Sequence, residues 1–157
     1  RGLNLRMSEL QAAVGKAQLG KLNKIVTRNR ENKYLLKSLI QDSSKFTYRK
    51  IIQKDNELAD TLIFYFKNKK MTDQFVKKYN ESGYFTKNLP DAIDWHFSKT
   101  WNHMFNGVTK YQDTWDSEWK KSEDLLERSI SIPIFVNSKS NEIKMHAKVI
   151  NQIISEL

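Results

Sequence analysis

Two histidines, two tryptophans and a lysine lie close together in residues 94–104, a stretch without a regular hydrophobic period. Aromatic faces combined with planar or charged polar groups are typical of sites that bind sugars. The pattern therefore predicts substrate contacts from His96, Lys99, Trp101 and His103. A metal site is a weaker alternative, because no third ligand stands at a recognisable spacing from the two histidines. Burial of the aromatic rings in a core stays open as a third interpretation.

Asn4 and Arg6 lie in the extended run, residues 2–6, near the start of the chain. Proteins hold phosphate groups with amides, backbone N–H groups and cations, so such an arm could reach one. Two structural alternatives remain open at this point. Asn4 could satisfy nearby backbone groups, and Arg6 could pair with a carboxylate. Composition alone favours those structural roles.

Two helices are expected to follow this arm. Ser8 and Gln11 have the spacing of a capping box, and the helix after them is rich in Ala and Gly. Small side chains let another backbone approach closely, so we expect tight packing against a larger body. The second helix is predicted over residues 21–40, and its polar centre, residues 27–33, is either exposed or lies against a polar interface.

The rest of the pattern predicts an α+β domain with a short, mostly antiparallel sheet packed with helices. Strands are expected over residues 46–52, 61–66, 84–86 and 129–132, with the second one central because it is apolar on both faces. Helices are expected from an N-cap at Thr72 to Gly83, over residues 117–127 and over residues 141–157. Ile143, Ala147, Ile150 and Ile154 form the apolar side of the last helix. His146, which stands near lysines, is assigned to the surface with no role.

The chain has 157 residues, a formal net charge of +9 and no cysteine. Its length fits one domain, and the lack of cysteine excludes disulfides and thiolate metal sites and fits a cytoplasmic protein. The sequence has no apolar run of about eighteen residues, so no membrane span is expected. The lysines are scattered, which favours a solvated basic surface over nucleic-acid binding. Because Arg1 is followed at once by a motif, we expect the chain to be a fragment of a longer protein.

The opening segment, RGLNLRMSELQAAVGKAQLGKL, resembles the start of the C-terminal portion of the DegT/DnrJ/StrS aminotransferases. These are pyridoxal-phosphate (PLP) enzymes that aminate keto-sugars. The resemblance implies the small C-terminal domain of a fold-type I aminotransferase, preceded by long helices. It also implies a homodimer in which Asn4 reaches the cofactor phosphate bound by the partner subunit, with Arg6 as a second candidate ligand.

The same resemblance divides the chain into two parts. Residues 1–44 would form an arm and paired helices at the interface with the large domain and the partner, and residues 45–157 the small α+β domain. The form W-H-F-x-K-x-W-x-H-M is similar to the branch that makes 8-amino-3,8-dideoxy-D-manno-octulosonate, a lipopolysaccharide sugar. In this family the lysine that carries PLP lies upstream, so we expect this chain alone to be inactive. The whole enzyme would move an amino group, with glutamate as the donor, to a keto-sugar.

A second class of function stays open beside the enzyme. The chain could be a stand-alone basic module that binds nucleic acid or anionic glycans. The affinity of such a module for nucleic acid would fall steeply as salt is added.

Overall fold

The computed structural model describes residues 7–53, 56–87, 97–104 and 115–157. Its helices are α1, Glu9–Leu19; α2, Leu22–Leu39; α3, Lys69–Glu81; α4, Trp115–Glu118; α5, Lys120–Glu127; and α6, Ser140–Ser155. A 3₁₀-helix covers Ser98–Met104. The strands are β1, Phe46–Tyr48; β2, Thr61–Phe66; and β3, Ser129–Pro133. This is the small α+β domain that the sequence predicts.

The three strands form one antiparallel sheet in the order β1-β2-β3. Strand β2 is central, as predicted, and Phe64 is paired in register with Tyr48 on one side and Ile130 on the other. Strands β2 and β3 are neighbours although residues 67–128 separate them in the chain. Arg128 joins the two ends of that stretch, because its carbonyl accepts from the Phe66 N–H at 2.8 Å and its guanidinium donates to the Phe66 carbonyl at 3.0 Å.

The core lies between the sheet and three helices. Helices α2 and α3 contact β2, and α6 packs against both helices. Phe64, which is fully buried, has the rings of Phe46, Phe66 and Phe75 at centroid distances of 5.2, 5.6 and 5.8 Å. The buried side of α6 consists of Ile143, Ala147, Ile150, Ile153 and Ile154. The apolar stripe predicted for the last helix is therefore confirmed.

Two predicted boundaries around α3 are wrong. The N-cap is Asn68, whose side chain accepts from the Met71 N–H at 3.0 Å, while Thr72 is buried one turn inside the helix. The expected strand at residues 84–86 is absent. Gly83 takes a φ of 80°, a conformation that suits glycine after a helix. The Tyr84 N–H then bonds back to the Tyr79 carbonyl at 3.2 Å and closes the helix, and the segment reaches the sheet only at Lys87, whose N–H bonds to the Ser131 carbonyl at 2.7 Å.

Three other expectations need smaller corrections. Strand β1 ends at Tyr48 and does not reach residue 52, although the Arg49 N–H still bonds to the Ile63 carbonyl at 3.0 Å. The helix predicted over residues 117–127 is divided into α4 and α5. The last helix begins at Ser140 and ends at Ser155.

Helix α1 begins with the predicted capping box. The Ser8 N–H donates to Gln11 Oε1 at 2.8 Å, and the Gln11 N–H donates to Ser8 Oγ at 3.3 Å. No residue of α1 is buried, and a Cβ added to Gly15 would meet no atom within 4 Å among the described residues. The close packing that its small residues predict is therefore not made within the described chain.

One face of the polar centre of α2 is buried inside this domain, while Thr27, Arg28 and Glu31 are exposed. Asn32 and Lys33 are 4% and 3% exposed. Asn32 Nδ2 donates to the Phe135 carbonyl at 2.8 Å, and Lys33 forms an ion pair with Glu57. Both expected environments are therefore observed within residues 27–33: one face is exposed, and the other lies against polar groups of the same chain.

No helix in the described ranges combines the length and the apolar composition needed to cross a membrane.

Candidate functional site

The segment 97–104 carries three of the predicted substrate residues. Phe97 anchors it, since this ring is 7% exposed and meets the Trp119 ring edge-on at 6.0 Å. The first turn is closed by Thr100, whose N–H and hydroxyl both bond to the Phe97 carbonyl, at 3.0 and 2.8 Å. The segment is thus a short 3₁₀-helix fixed by one buried ring and one local hydrogen-bonded turn.

Lys99 links this 3₁₀-helix to α5. Its Nζ lies 2.8 and 2.9 Å from the two carboxylate oxygens of Glu123, and the two side chains are 26% and 30% exposed. The ammonium therefore already has a carboxylate partner. An acidic substrate at this position would have to share Lys99 with Glu123 or displace that carboxylate.

Two of the other predicted site residues lie within the described structure. Trp101 is half-buried and His103 is exposed. His96, Asn4 and Arg6 lie outside the described residues, so their roles stay predictions. Within the described ranges, no three His, Asp or Glu side chains are grouped so that they could hold a metal ion.

His146 is the residue that the sequence interpretation missed. It is not a surface residue: its ring is half-buried and stacks on Tyr84 with centroids 4.4 Å apart and an interplanar angle of 2°. Its Nε2 also hydrogen-bonds to the hydroxyl of the buried Tyr79. The available signal was helical spacing, because residue 146 lies three positions after Ile143 and therefore at the edge of the apolar stripe.

Burial lowers the pKa of His146 from 6.5 to about 4, because the charged imidazolium loses hydration in this environment. It raises the pKa of Tyr79 for the same reason. At neutral pH both side chains are therefore uncharged. The stack is a neutral aromatic cluster between α3 and α6.

This shift predicts a pH-dependent stability. As the pH falls below about 6.5, His146 becomes protonated in the unfolded chain, but in the folded chain it stays neutral until about pH 4. Because the unfolded state binds the extra proton, the free energy of unfolding falls across that window. With a discount for the solvent that reaches the ring, the loss is on the order of 2 kcal/mol. Urea denaturation from about pH 7.5 to 4.5 measures it.

The matched controls are two glutamine variants. His146→Gln removes the titrating ring and should flatten this part of the pH dependence. His103→Gln changes an exposed histidine and should keep the slope of the parent chain. Equal slopes in the His146→Gln variant and the parent would contradict the assignment.

The comparison with known proteins decides the family. The model of the DegT/DnrJ/EryC1/StrS aminotransferase family matches residues 1–153. The chain belongs to this family. The family resemblance seen in the sequence is thereby confirmed.

Three solved structures show the aminotransferase fold shared with this chain. PseC of Helicobacter pylori, an aminotransferase involved in the biosynthesis of pseudoaminic acid, matches with a TM-score of 0.75 at 19% identity. The aminotransferase TlmJ from Streptoalloteichus hindustanus gives 0.71 at 11%, and 3-amino-5-hydroxybenzoic acid synthase gives 0.69 at 15%. Each match covers 99% of this chain but only 40%, 38% and 41% of the respective relative. The chain therefore spans about two fifths of these aminotransferases.

Aminotransferases of the DegT/DnrJ/EryC1/StrS family depend on PLP, a cofactor that supplies an electron sink for amino transfer and is carried by a lysine. Among the described residues Lys33 is the only buried lysine, and its ammonium is paired with Glu57. The candidate phosphate ligands Asn4 and Arg6 lie outside the described ranges.

Proposed function

We propose that this chain is the C-terminal portion of a PLP-dependent sugar aminotransferase. The observation that carries the proposal is the match of nearly the whole chain to two fifths of PseC with a TM-score of 0.75. The whole enzyme would transfer an amino group from glutamate to a keto-sugar used in cell-surface polysaccharide or lipopolysaccharide biosynthesis, in the cytoplasm. Within the family, the aromatic sequence of residues 95–104 supports assignment to the branch that makes 8-amino-3,8-dideoxy-D-manno-octulosonate.

The proposed contributions of this chain are two sets of contacts. Asn4 and Arg6 would bind the phosphate of PLP, and His96, Lys99, Trp101 and His103 would bind the keto-sugar. The pairing of Lys99 with Glu123 supports a defined position for the 3₁₀-helix, because the ion pair links it to α5. The substrate would then meet a segment whose backbone is already ordered.

Residues 1–44 would form the interface with the large domain and with the partner subunit of a homodimer. Helix α1 and its flanks support this proposal, since Met7, Leu10 and Leu19 are 72%, 76% and 70% exposed. Apolar side chains grouped on one exposed segment are typical of surfaces that another part of the protein covers. Residues 45–157 would then be the small domain that contributes to the sugar pocket.

The paired cations support a solvated basic surface more than a stand-alone basic module. Lys69 lies 2.7 Å from Asp73, Lys78 lies 2.6 Å from Glu156, and Arg128 lies 2.8 Å from Asp124. These pairs are spread over the domain and include carboxylates that would repel a phosphate backbone. We therefore propose that the chain binds neither nucleic acid nor a membrane.

The test is an activity assay on the purified chain. We expect a folded protein, by circular dichroism and a cooperative melt, whose turnover of PLP, glutamate and keto-sugars equals that of a control without protein. The physical reason is the proposed location of the cofactor-binding lysine outside this chain. A full-length enzyme such as PseC serves as the positive control. Turnover above the blank would show that the chain carries its own catalytic lysine and would refute the proposal.

A further inference from the structure

A cleft of about 340 Å³ lies beside the His146 stack. Its walls come from the end of α3, the segment after Gly83, the segment after β3 and the first turns of α6. The side chains that matter here are Tyr84, Phe85, Phe135, Glu142, Met145 and His146. None of them is among the residues proposed above to bind the PLP phosphate or the keto-sugar.

The walls of the cleft are aromatic and reach the solvent. Phe85, Phe135 and Met145 are 58%, 54% and 63% exposed. The rings of Phe85 and Phe135 are 6.2 Å apart with an interplanar angle of 57°. Tyr84 and His146 add a parallel stack whose rings are 4.4 Å apart. Such rings offer flat apolar surface to a ligand at little cost in side-chain entropy.

The charge of the cleft is opposite to that of the chain. The chain carries a net charge of +9, yet the described residues that line the cleft include no lysine or arginine. Their one ionised side chain is Glu142, because burial keeps His146 neutral at pH 7. Glu142 Oε2 accepts from the Lys139 N–H at 2.8 Å at the start of α6, which holds the carboxylate at one edge of the cleft.

Size and charge together restrict the ligand. Binding pockets for small molecules have volumes of about 300–1,000 Å³, and this cleft, at about 340 Å³, lies at the lower end, which suits a single ring. Among the described residues that line it, an anionic ligand would meet a carboxylate and no balancing cation. A pyranose has one face of C–H groups that can pack against aromatic rings, and a protonated amine complements Glu142.

We propose that this cleft binds a pyranose that carries a protonated amino group. The C–H face of the sugar packs on Phe85 and Phe135, and the ammonium pairs with Glu142. The inference concerns binding alone and does not depend on the aminotransferase proposal.

The first experiment compares three sugars of the same size and different charge. Glucosamine, methyl glucoside and glucuronate are each titrated into the ¹⁵N-labelled chain at about pH 6.5, where the amine is protonated and His146 is neutral. We expect amide shifts at residues 84–85, 135 and 142–146. Glucosamine should bind about two- to fivefold more tightly than methyl glucoside, the range expected for one exposed ion pair, and glucuronate most weakly. No shifts in the cleft, or an affinity for glucuronate that equals that for glucosamine, would overturn the proposal.

Two variants separate the charge from the rings. Glu142→Gln keeps the N–H contact of the cap, because glutamine also suits this position, and should remove the preference for glucosamine while methyl glucoside still binds. Phe135→Ala should weaken both sugars about threefold or more. Ile52→Ala is the matched control, since this side chain is 92% exposed and does not line the cleft. A preference for glucosamine that survives Glu142→Gln, or unchanged binding by Phe135→Ala, would refute the assigned contacts.

Discussion

Lys33→Met should lower the free energy of unfolding by about 3–5 kcal/mol, the cost of leaving one member of a buried ion pair without its partner. The Lys33 and Glu57 side chains are 3% and 9% exposed. Without the ammonium, the Glu57 carboxylate keeps its longer contact with Arg49, which is 3.7 Å away and 44% exposed. An exposed guanidinium at that distance compensates a buried charge poorly.

Urea denaturation at pH 7 measures this loss, and a second substitution identifies its origin. Lys33→Met combined with Glu57→Gln removes the uncompensated charge and should recover a large part of the stability. Lys69→Met is the control, because Lys69 and Asp73 form an exposed pair worth about 0.3–0.5 kcal/mol. A cost for Lys33→Met as small as that of Lys69→Met would show that the buried pair is not what stabilises this region.

Phe64→Ala should cost about 3–5 kcal/mol, because it opens a cavity that the surrounding rings cannot fill. Phe64 has no exposed surface and lies on the central strand, where its neighbours belong to β1, β2 and α3. Those rings are held by the sheet and by the helix, so they relax little toward the cavity. The residue therefore joins the sheet to the helical layer.

Chemical denaturation of Phe64→Ala and Phe85→Ala, side by side, tests this expectation. Phe85 is 58% exposed, and its substitution should change the stability by less than about 1 kcal/mol. The two variants delete the same number of atoms, so the difference reports burial. If they lose similar stability, the placement of Phe64 at the centre of the core is wrong.

The features that the sequence predicted correctly depend on neighbours a few positions apart. The capping box needs only Ser8 and Gln11, and the buried side of α6 follows from spacings of three and four residues. The central position of β2 follows from its unbroken apolar run at residues 61–66. Local periodicity records which side of an element is buried, so such patterns can be interpreted without the fold.

The features that it missed depend on contacts between distant parts of the chain. His146 is surrounded by lysines in sequence, and its environment is set by Tyr79 and Tyr84 on another element. In the same way, Lys33 and Asn32 in the centre of α2 are buried because Glu57 and the Phe135 carbonyl contact them. The sequence around a polar residue does not show which distant group will be its hydrogen-bond or ion-pair partner.

The candidate site was predicted by residue type and by resemblance more than by geometry. The sequence marked Lys99 as a cation in an aromatic segment, but its pairing with Glu123 on α5 required the structure. Trp101 and His103 are placed on the same 3₁₀-helix. Asn4, Arg6 and His96 lie outside the described residues, and their roles stay predictions.

The contact between Phe66 and Arg128 has a consequence for how such domains diverge. It ties together the two ends of residues 67–128, so the spacing of these ends does not depend on the length of chain between them. Loops that are closed in this way tolerate changes in length at small entropic cost. Helix α3 is fixed by its buried Phe75 and Tyr79, but changes in the segment that carries Lys99, Trp101 and His103 can accumulate while β2 and β3 keep their register. A lineage can therefore alter what this stretch contacts without a new scaffold, in keeping with a fold shared at TM-scores of 0.69 to 0.75 by sequences only 11% to 19% identical.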